Sequence, residues 1–201
     1  STNPYQLTEA DRTVIGNTTP KFSGGFGLNA TYKGFDMSMF FNFMYDFDVL
    51  NANKIMLTTW ADNKENNFLM DIASDKRWRN FDDMGNEIRY SPEVLAEFNK
   101  NATMWNPTSI GRPICMSYAV EDGSFLRLNS ATVGYTLPSV WTKKVGLSKV
   151  RFYVSGNNLF TLTGYSGYDP EVNIATGLTP NIDYNRYPRS RTYTFGAQLT
   201  F

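Results

Sequence analysis

The chain has 201 residues, 19 basic and 19 acidic side chains, no histidine and one cysteine. Zero net charge removes any electrostatic argument for nucleic acid or for an anionic membrane surface. Without histidine there is no histidine-based acid–base chemistry and little scope for zinc, and Cys115 has neither an activating base nor a disulfide partner within the chain.

Mean hydropathy is −0.39, and the nearest approach to an apolar run, Met37 to Tyr45, is broken by Ser38 and Asn42. No transmembrane helix fits. A transmembrane β-barrel and a soluble β-sandwich both tolerate such a composition, because half of each strand is polar. The chain opens Ser-Thr-Asn-Pro, with no methionine, basic segment or apolar leader, so it is expected to be mature, cleaved or a fragment.

The first twenty residues read as polar loop, with Pro4, Gly16, Asn17 and Pro20 as breakers. Alternation then begins: Phe22, Gly24, Phe26, Leu28, Ala30 and Tyr32 share one face of a strand. After a Lys33-Gly34 turn, Phe35, Met37, Met39, Phe41, Phe43, Tyr45 and Phe47 continue that outward row. A hairpin with seven large apolar residues on one face exceeds what strands of about 5–6 residues need.

From Asp48 to about Glu121 period two is lost. Short helices are predicted over Asn51 to Trp60 and Pro92 to Lys100, the second with Ser91 as N-cap and Pro92 at its first position. The rest reads as a long loop rich in Asn, Asp and aromatics. A third strand runs from about Ser124 to Leu137, with Ala131, Val133, Tyr135 and Leu137 outward. Leu126 and Leu128 have the opposite parity, which predicts a bulge near Asn129. Pro138 to Ser148 is a short connection in which Trp141 beside Lys143 and Lys144 suits a headgroup anchor. Lys149 to Thr161 is a fourth strand, and Thr163 to Ser190 a loop. In the last strand, Arg191 to Phe201, Tyr193, Phe195, Ala197, Leu199 and Phe201 alternate with polar residues. Eleven residues tilted near 45° rise roughly 25 Å, the height of the apolar band of an outer-membrane barrel.

The connections alternate between short and long, as barrel strands running up and down require. Gly34 and the Trp141 turn are thereby expected on the periplasmic side, and Ser74 and Thr176 outside. Five strands cannot close a barrel, since the smallest need about eight, so the chain is expected to be part of a larger wall unless the strand count is low. Carboxylates at short spacing, Asp82-Asp83 and Asp169 with Glu171, fall in polar loops where turn formation explains them, and no enzyme is indicated. No cofactor or metal is expected.

The ordered series Glu121-Asp-Gly-Ser-Phe-Leu-Arg-Leu-Asn129, Val133-Gly-Tyr-Thr-Leu-Pro138, Tyr153-Val-Ser-Gly-Asn-Asn-Leu-Phe160, Ser166-Gly-Tyr-Asp-Pro-Glu-Val172, Tyr187-Pro-Arg and Thr194-Phe-Gly-Ala-Gln-Leu-Thr-Phe201 resembles the C-terminal end of SusC/RagA-type TonB-dependent transporters. Asp11 to Lys21 is similar to the same family's lead-in. The resemblance implies an all-β, transmembrane antiparallel barrel of about 22 strands with long extracellular loops. Residues 1–201 would be its C-terminal part, with the plug domain and N-terminal strands lying outside this chain. It further implies the outer membrane of a Gram-negative bacterium, import of oligosaccharides or peptides, a SusD-like surface lipoprotein as partner, and coupling to TonB through the N-terminal part. The alternative is a soluble β-rich glycan-binding module. Solute favours aromatic platforms, so Trp60, Trp78 and Trp105 in the long loop, and Tyr165 and Tyr168 in the last one, are substrate-contact candidates. Resemblance to outer-membrane proteins also implies that Tyr193, Phe195 and Phe201 form a C-terminal assembly signal.

Overall fold

A computed structural model describes residues 12–59, 67–72, 76–107, 114–171 and 180–201. The alternating stretch from residue 22 forms β1 (Phe22–Tyr32) and β2 (Phe35–Tyr45), joined at Lys33-Gly34, where both residues have positive φ, 45° and 91°. That is the backbone a two-residue hairpin needs to match the strand twist. Then follow β3 (Asp48–Asn51), α1 (Ala52–Met56), α2 (Pro92–Asn99), β4 (Val120–Asp122), β5 (Phe125–Thr136), α3 (Ser139–Thr142), β6 (Lys149–Thr163), β7 (Ile182–Asp183) and β8 (Thr192–Thr200). No helix among the described residues is long and apolar enough to cross a membrane.

The long strands make one antiparallel meander in the order β1-β2-β5-β6-β8, and β4-β3-β7 make a small second sheet. Directly opposed residues share a face, so the registers fix what each face is made of. Ala30 opposes Met37, which opposes Val133, then Val154, then Phe195. One residue along, Asn29 opposes Ser38, Thr132, Ser155 and Thr194 in turn. The first face is apolar across all five strands and stays open, Phe35 being 55% exposed and Phe195 77%. Its rings pack sideways instead: Phe26 stacks on Phe41 at 5.0 Å between centroids, and Phe35 lies 4.5 Å from Tyr135. The outer edges of β1 and β8 pair with no strand among the described residues.

Asn129 is the bulge that the parity change predicts. The register slips between Phe40 and Phe41 on β2, so that Phe41 faces Leu128 while Phe40 faces Ser130. Leu126 and Leu128 thereby rejoin the apolar face, and Arg127 falls on the other. β6 follows with an irregularity of its own, where Asn158 has φ 53°.

Two expectations are corrected. The outward row does not reach Phe47: Asp46 takes φ 61° and donates its N–H to Ser124 Oγ at 2.9 Å, and Phe47 turns into a cluster with Val49, Phe125 and Tyr165. Nor is the stretch after residue 50 a plain loop. Leu50–Val120 with Asp183–Asn185 forms a compact unit separate from the rest, and Ile55, Ile72, Ile88, Met104 and Ala119 are buried. Both predicted helices occur there in shorter form. At the second, Ser91 caps with no side-chain hydrogen bond, although Pro92 takes the first turn as expected. Asn99 holds the unit together more directly, accepting from Arg79 N at 2.6 Å and donating to Arg79 O and Leu95 O.

Gly34 and Gly146 both have positive φ, at 91° and 73°, but a Cβ on Gly34 would sit 2.9 Å from Thr136 O whereas one on Gly146 meets nothing within 4 Å. Gly146→Ala is expected to cost about 1–2 kcal/mol from the backbone alone, and Gly34→Ala distinctly more. Denaturant midpoints of the two variants check this; equal losses would mean that the hairpin does not approach β5 as described.

Candidate functional site

The polar face of the meander carries charge that its own neighbours neutralise. Asp36 on β2 and Arg151 on β6, 115 residues apart, form a two-pronged pair across β5, Nε to Oδ1 at 2.9 Å and Nη2 to Oδ2 at 2.5 Å. The guanidinium lies over Gly134, where an added Cβ would come within 2.4 Å of it. Tyr153 likewise lies over Gly196, 2.4 Å from where a Cβ would be. Glycines on this face thus make slots in which long polar side chains lie flat, leaving a surface of hydroxyls, amides and paired charge.

At the far end of the sheet the bulge sends Arg127 inward, 2% exposed. Its Nη2 donates to Asp169 Oδ1, and its Nε stands 3.6 Å from Glu171 Oε2. Glu171 Oε1 accepts from Arg189 at 2.6 Å, and Asp169 also accepts from Glu171 N at 2.9 Å. Burial pushes the Asp169 carboxyl up, but the Arg127 guanidinium and the backbone N–H groups of Glu171 and Arg189 outweigh it and hold the group below the usual carboxylate range. Beside this cluster Tyr165 is buried against Phe47 and Phe125, and Ser166 donates both N–H and Oγ–H to Glu121 at 2.9 Å. The segment 163–171 is therefore bolted to the sheet, and its carboxylates bind arginines rather than stand free for chemistry. The Asp82-Asp83 pair is a turn: Asp82 accepts from Met84 N, Asn86 N and Asn86 Nδ2, which lowers its pKa, the Asn86 side chain contributing most, and Asp83 pairs with Arg79 at 2.7 Å.

The expected solute contacts separate. Trp60 lies outside the described residues. Trp105 is half-buried, its Nε1 donating to Thr58 O at 3.2 Å and its ring edge-on to Tyr118 at 5.2 Å. Tyr165 is 6% exposed in the cluster just described. Trp78 is 41% exposed and Tyr168 84%, so these two rings keep an accessible face. Tyr193 and Phe195 stand on the apolar face of β8, and Phe201 is 88% exposed beyond its end. Sequence reasoning missed the Asp36–Arg151 and Arg127–Asp169 pairs; the one available signal was that Arg127 would face outward unless the strand slipped phase.

Arg127→Met should cost about 3–5 kcal/mol by leaving a buried carboxylate without its cation, and Arg127→Met/Asp169→Leu should recover part of that in a double-mutant cycle. Because the folded pKa of Asp169 is lowered, its stabilisation is present above the ordinary value of about 3.9 and is lost as pH falls from there through the lower folded value. Unfolding measured at pH 3 and pH 7 should therefore show a shallower acid loss in Asp169→Asn than in the natural chain.

No family profile matches the chain. TonB-dependent receptor P3 of Formosa agariphila is 35% identical to it over 202 residues, 98% of this chain and 18% of that protein. TonB-dependent receptor SusC of Bacteroides thetaiotaomicron is 36% identical over 88 residues, 42% of this chain and 8% of that protein. Among solved structures, the RagAB peptide importer in its 'open-open' state superposes with a TM-score of 0.71 at 25% identity, over 98% of this chain and 19% of that one. The chain spans less than a fifth of the length of these relatives. Similarity that runs almost end to end in both sequence and fold makes this chain a segment of a SusC/RagA-type TonB-dependent transporter.

Proposed function

We propose that the meander is C-terminal wall in a plugged outer-membrane barrel of about 22 strands, in a TonB-dependent importer of oligosaccharides or peptides that works with a SusD-like surface lipoprotein. The carrying observation is the unbroken apolar face: five antiparallel strands in chain order, with every opposed row on one side apolar and the rows on the other polar or glycine-rich apart from Phe40, Met44 and Phe125. Nine to fifteen residues per strand match an apolar band about 25 Å tall at the usual tilt. In this reading lipid covers the apolar face, the polar face lines the lumen or meets the plug, and the open edges of β1 and β8 pair with strands outside this chain. Plug and N-terminal strands belong to the rest of the protein, and TonB acts through them. The protein is a transporter and not an enzyme, and needs no cofactor or metal for the step served by this segment.

Connection lengths support an orientation. Lys33-Gly34 and the Leu137–Ser148 segment join strands at one end of the sheet, whereas the residue 46–124 and 164–191 connections leave from the other. The short ends face the periplasm and the long ones the exterior. Trp78 and Tyr168 are the residues of this chain best placed to meet solute, with Trp60 a further candidate; Trp105 and Tyr165 act by shaping the loops that carry them.

Single-cysteine versions of the full-length protein, labelled on intact cells with an impermeant maleimide, test the orientation. Ser74 and Thr176 lie outside the described residues, so the outer positions are the exposed Cys115 and Tyr168→Cys, against Lys144→Cys on a short turn. Labelling at Cys115 and Tyr168→Cys alone is expected. Labelling at Lys144→Cys instead would invert the wall, and recovery of the protein without detergent would return the soluble glycan-binding alternative.

Phe201 separates an assembly role from a packing role. As one apolar contact it is worth about 1–2 kcal/mol by area, which a wall of this size tolerates. Deleting it from the full-length protein is expected to reduce sharply the amount of barrel in the membrane, while inserted molecules keep normal heat resistance on a gel. Unchanged abundance would leave Tyr193, Phe195 and Phe201 as wall residues only.

A further inference from the structure

The short-connection end of the sheet carries chemistry that the wall alone does not require. Between β5 and β6 the backbone is fixed on several sides: Leu137 N donates to Val150 O at 2.9 Å, Leu147 N to Thr142 O at 3.1 Å, and Ser148 N to Thr200 O at 2.8 Å at the end of β8. Gly146, at φ 73°, reverses the chain after the Lys143–Val145 turn. Thr142 and Val150 are buried. With that side inward, Val140, Trp141 and Val145 are left 68%, 59% and 70% exposed. Lys143 and Lys144 stand exposed beside them, and neither has a carboxylate within ion-pair distance among the described residues. Lys33 and Lys149 add two more cations at this end, and Asp36, the one acidic side chain there among the described residues, is already held by Arg151.

Three large apolar side chains on a rigid turn gain nothing from water, and unpaired lysines interleaved with them gain nothing from a neutral apolar medium. A layer that is apolar on one side and anionic on the other satisfies both. We propose that this rim is a binding site for anionic phospholipid: Trp141, Val140 and Val145 enter the boundary between glycerol and acyl chain, and Lys143 and Lys144, assisted by Lys33 and Lys149, take the phosphates. Charge complementarity selects the lipid class, and the pinned backbone means that the site is formed before lipid arrives. The proposal rests on the membrane-wall reading above.

The test uses the full-length transporter purified in mild detergent and supplied with phosphatidylglycerol or phosphatidylcholine, with retained lipid counted by native mass spectrometry. The natural protein is expected to keep phosphatidylglycerol preferentially. Lys143→Gln/Lys144→Gln should lose that preference roughly ten- to thirtyfold, at about fivefold per lysine, with heat resistance on a gel unchanged. Trp141→Ser should weaken retention of both lipids alike. Equal preference in the natural and double-variant proteins overturns the proposal, and so does a double variant that sheds lipopolysaccharide instead, since the rim would then lie in the other leaflet. If neither protein enters membranes or requires detergent, the wall reading itself fails.

Discussion

Side-chain parity, kept in step across five strands, is the constraint on which the rest of this chain depends. A slip of one residue anywhere would turn a strand's apolar set to the other face, and here each of the four pairings delivers apolar residues to the same side. A soluble protein would answer such a face with a second layer of sheet or helix about 10 Å away. In this sheet the rings instead touch sideways along the face and remain open outward. An apolar medium outside the sheet would do what a core normally does, and the absence of a membrane-spanning helix carries no weight against that; the two open strand edges likewise call for pairing beyond the described residues.

The bulge at Asn129 links that constraint to the long connections. By inserting one residue it returns Leu126 and Leu128 to the apolar row, and by the same step it places Arg127 on the opposite side. A guanidinium buried there is costly unless paired. The last loop supplies Asp169 and Glu171, and Arg189 completes the set. A register correction in the sheet therefore fixes the loop that carries Tyr168, the ring next to Asp169. Asp36 and Arg151 do a similar job nearer the other end, where Gly134 leaves room for the pair to lie flat on the sheet.

What the sequence made legible follows from what is periodic in it. The five long strands and even the bulge could be read, because parity is a local property of side-chain order. Phe47 could not: it has the right parity, but Asp46 leaves the strand through a positive φ that nothing in the pattern announces. Beyond its two short helices, the unit after residue 50 was illegible for a different reason. Its interior residues, Ile55, Ile72, Ile88 and Met104, come from short elements at irregular spacing, so no window contains a repeat. Ser91 spells a cap that its side chain does not make. In the candidate site the exposed aromatics were nameable by type, but only the fold separates Tyr168, open at the surface, from Tyr165, buried and three residues before it in sequence. Ion pairs spanning 42 and 115 residues leave no local trace at all.

Charge is the case in which averaging misleads most. Equal numbers of acids and bases suggest indifference to an anionic surface, and for the chain as a rigid whole that inference is sound. A headgroup layer, however, feels only what lies within a Debye length, about 8 Å in physiological salt. The two ends of this sheet are not alike on that scale. Where the long connections leave, Asp46, Asp169 and Glu171 are paired with Lys21, Arg127 and Arg189, whereas Lys143 and Lys144 on a short turn have no carboxylate within ion-pair distance among the described residues, and Asp36 near them is already taken by an arginine. Strands that alternate in direction deliver such a segregation without any cost to the sheet, because each connection belongs to one end only. Zero net charge over the whole chain thus coexists with an excess of lysine at one end of the sheet.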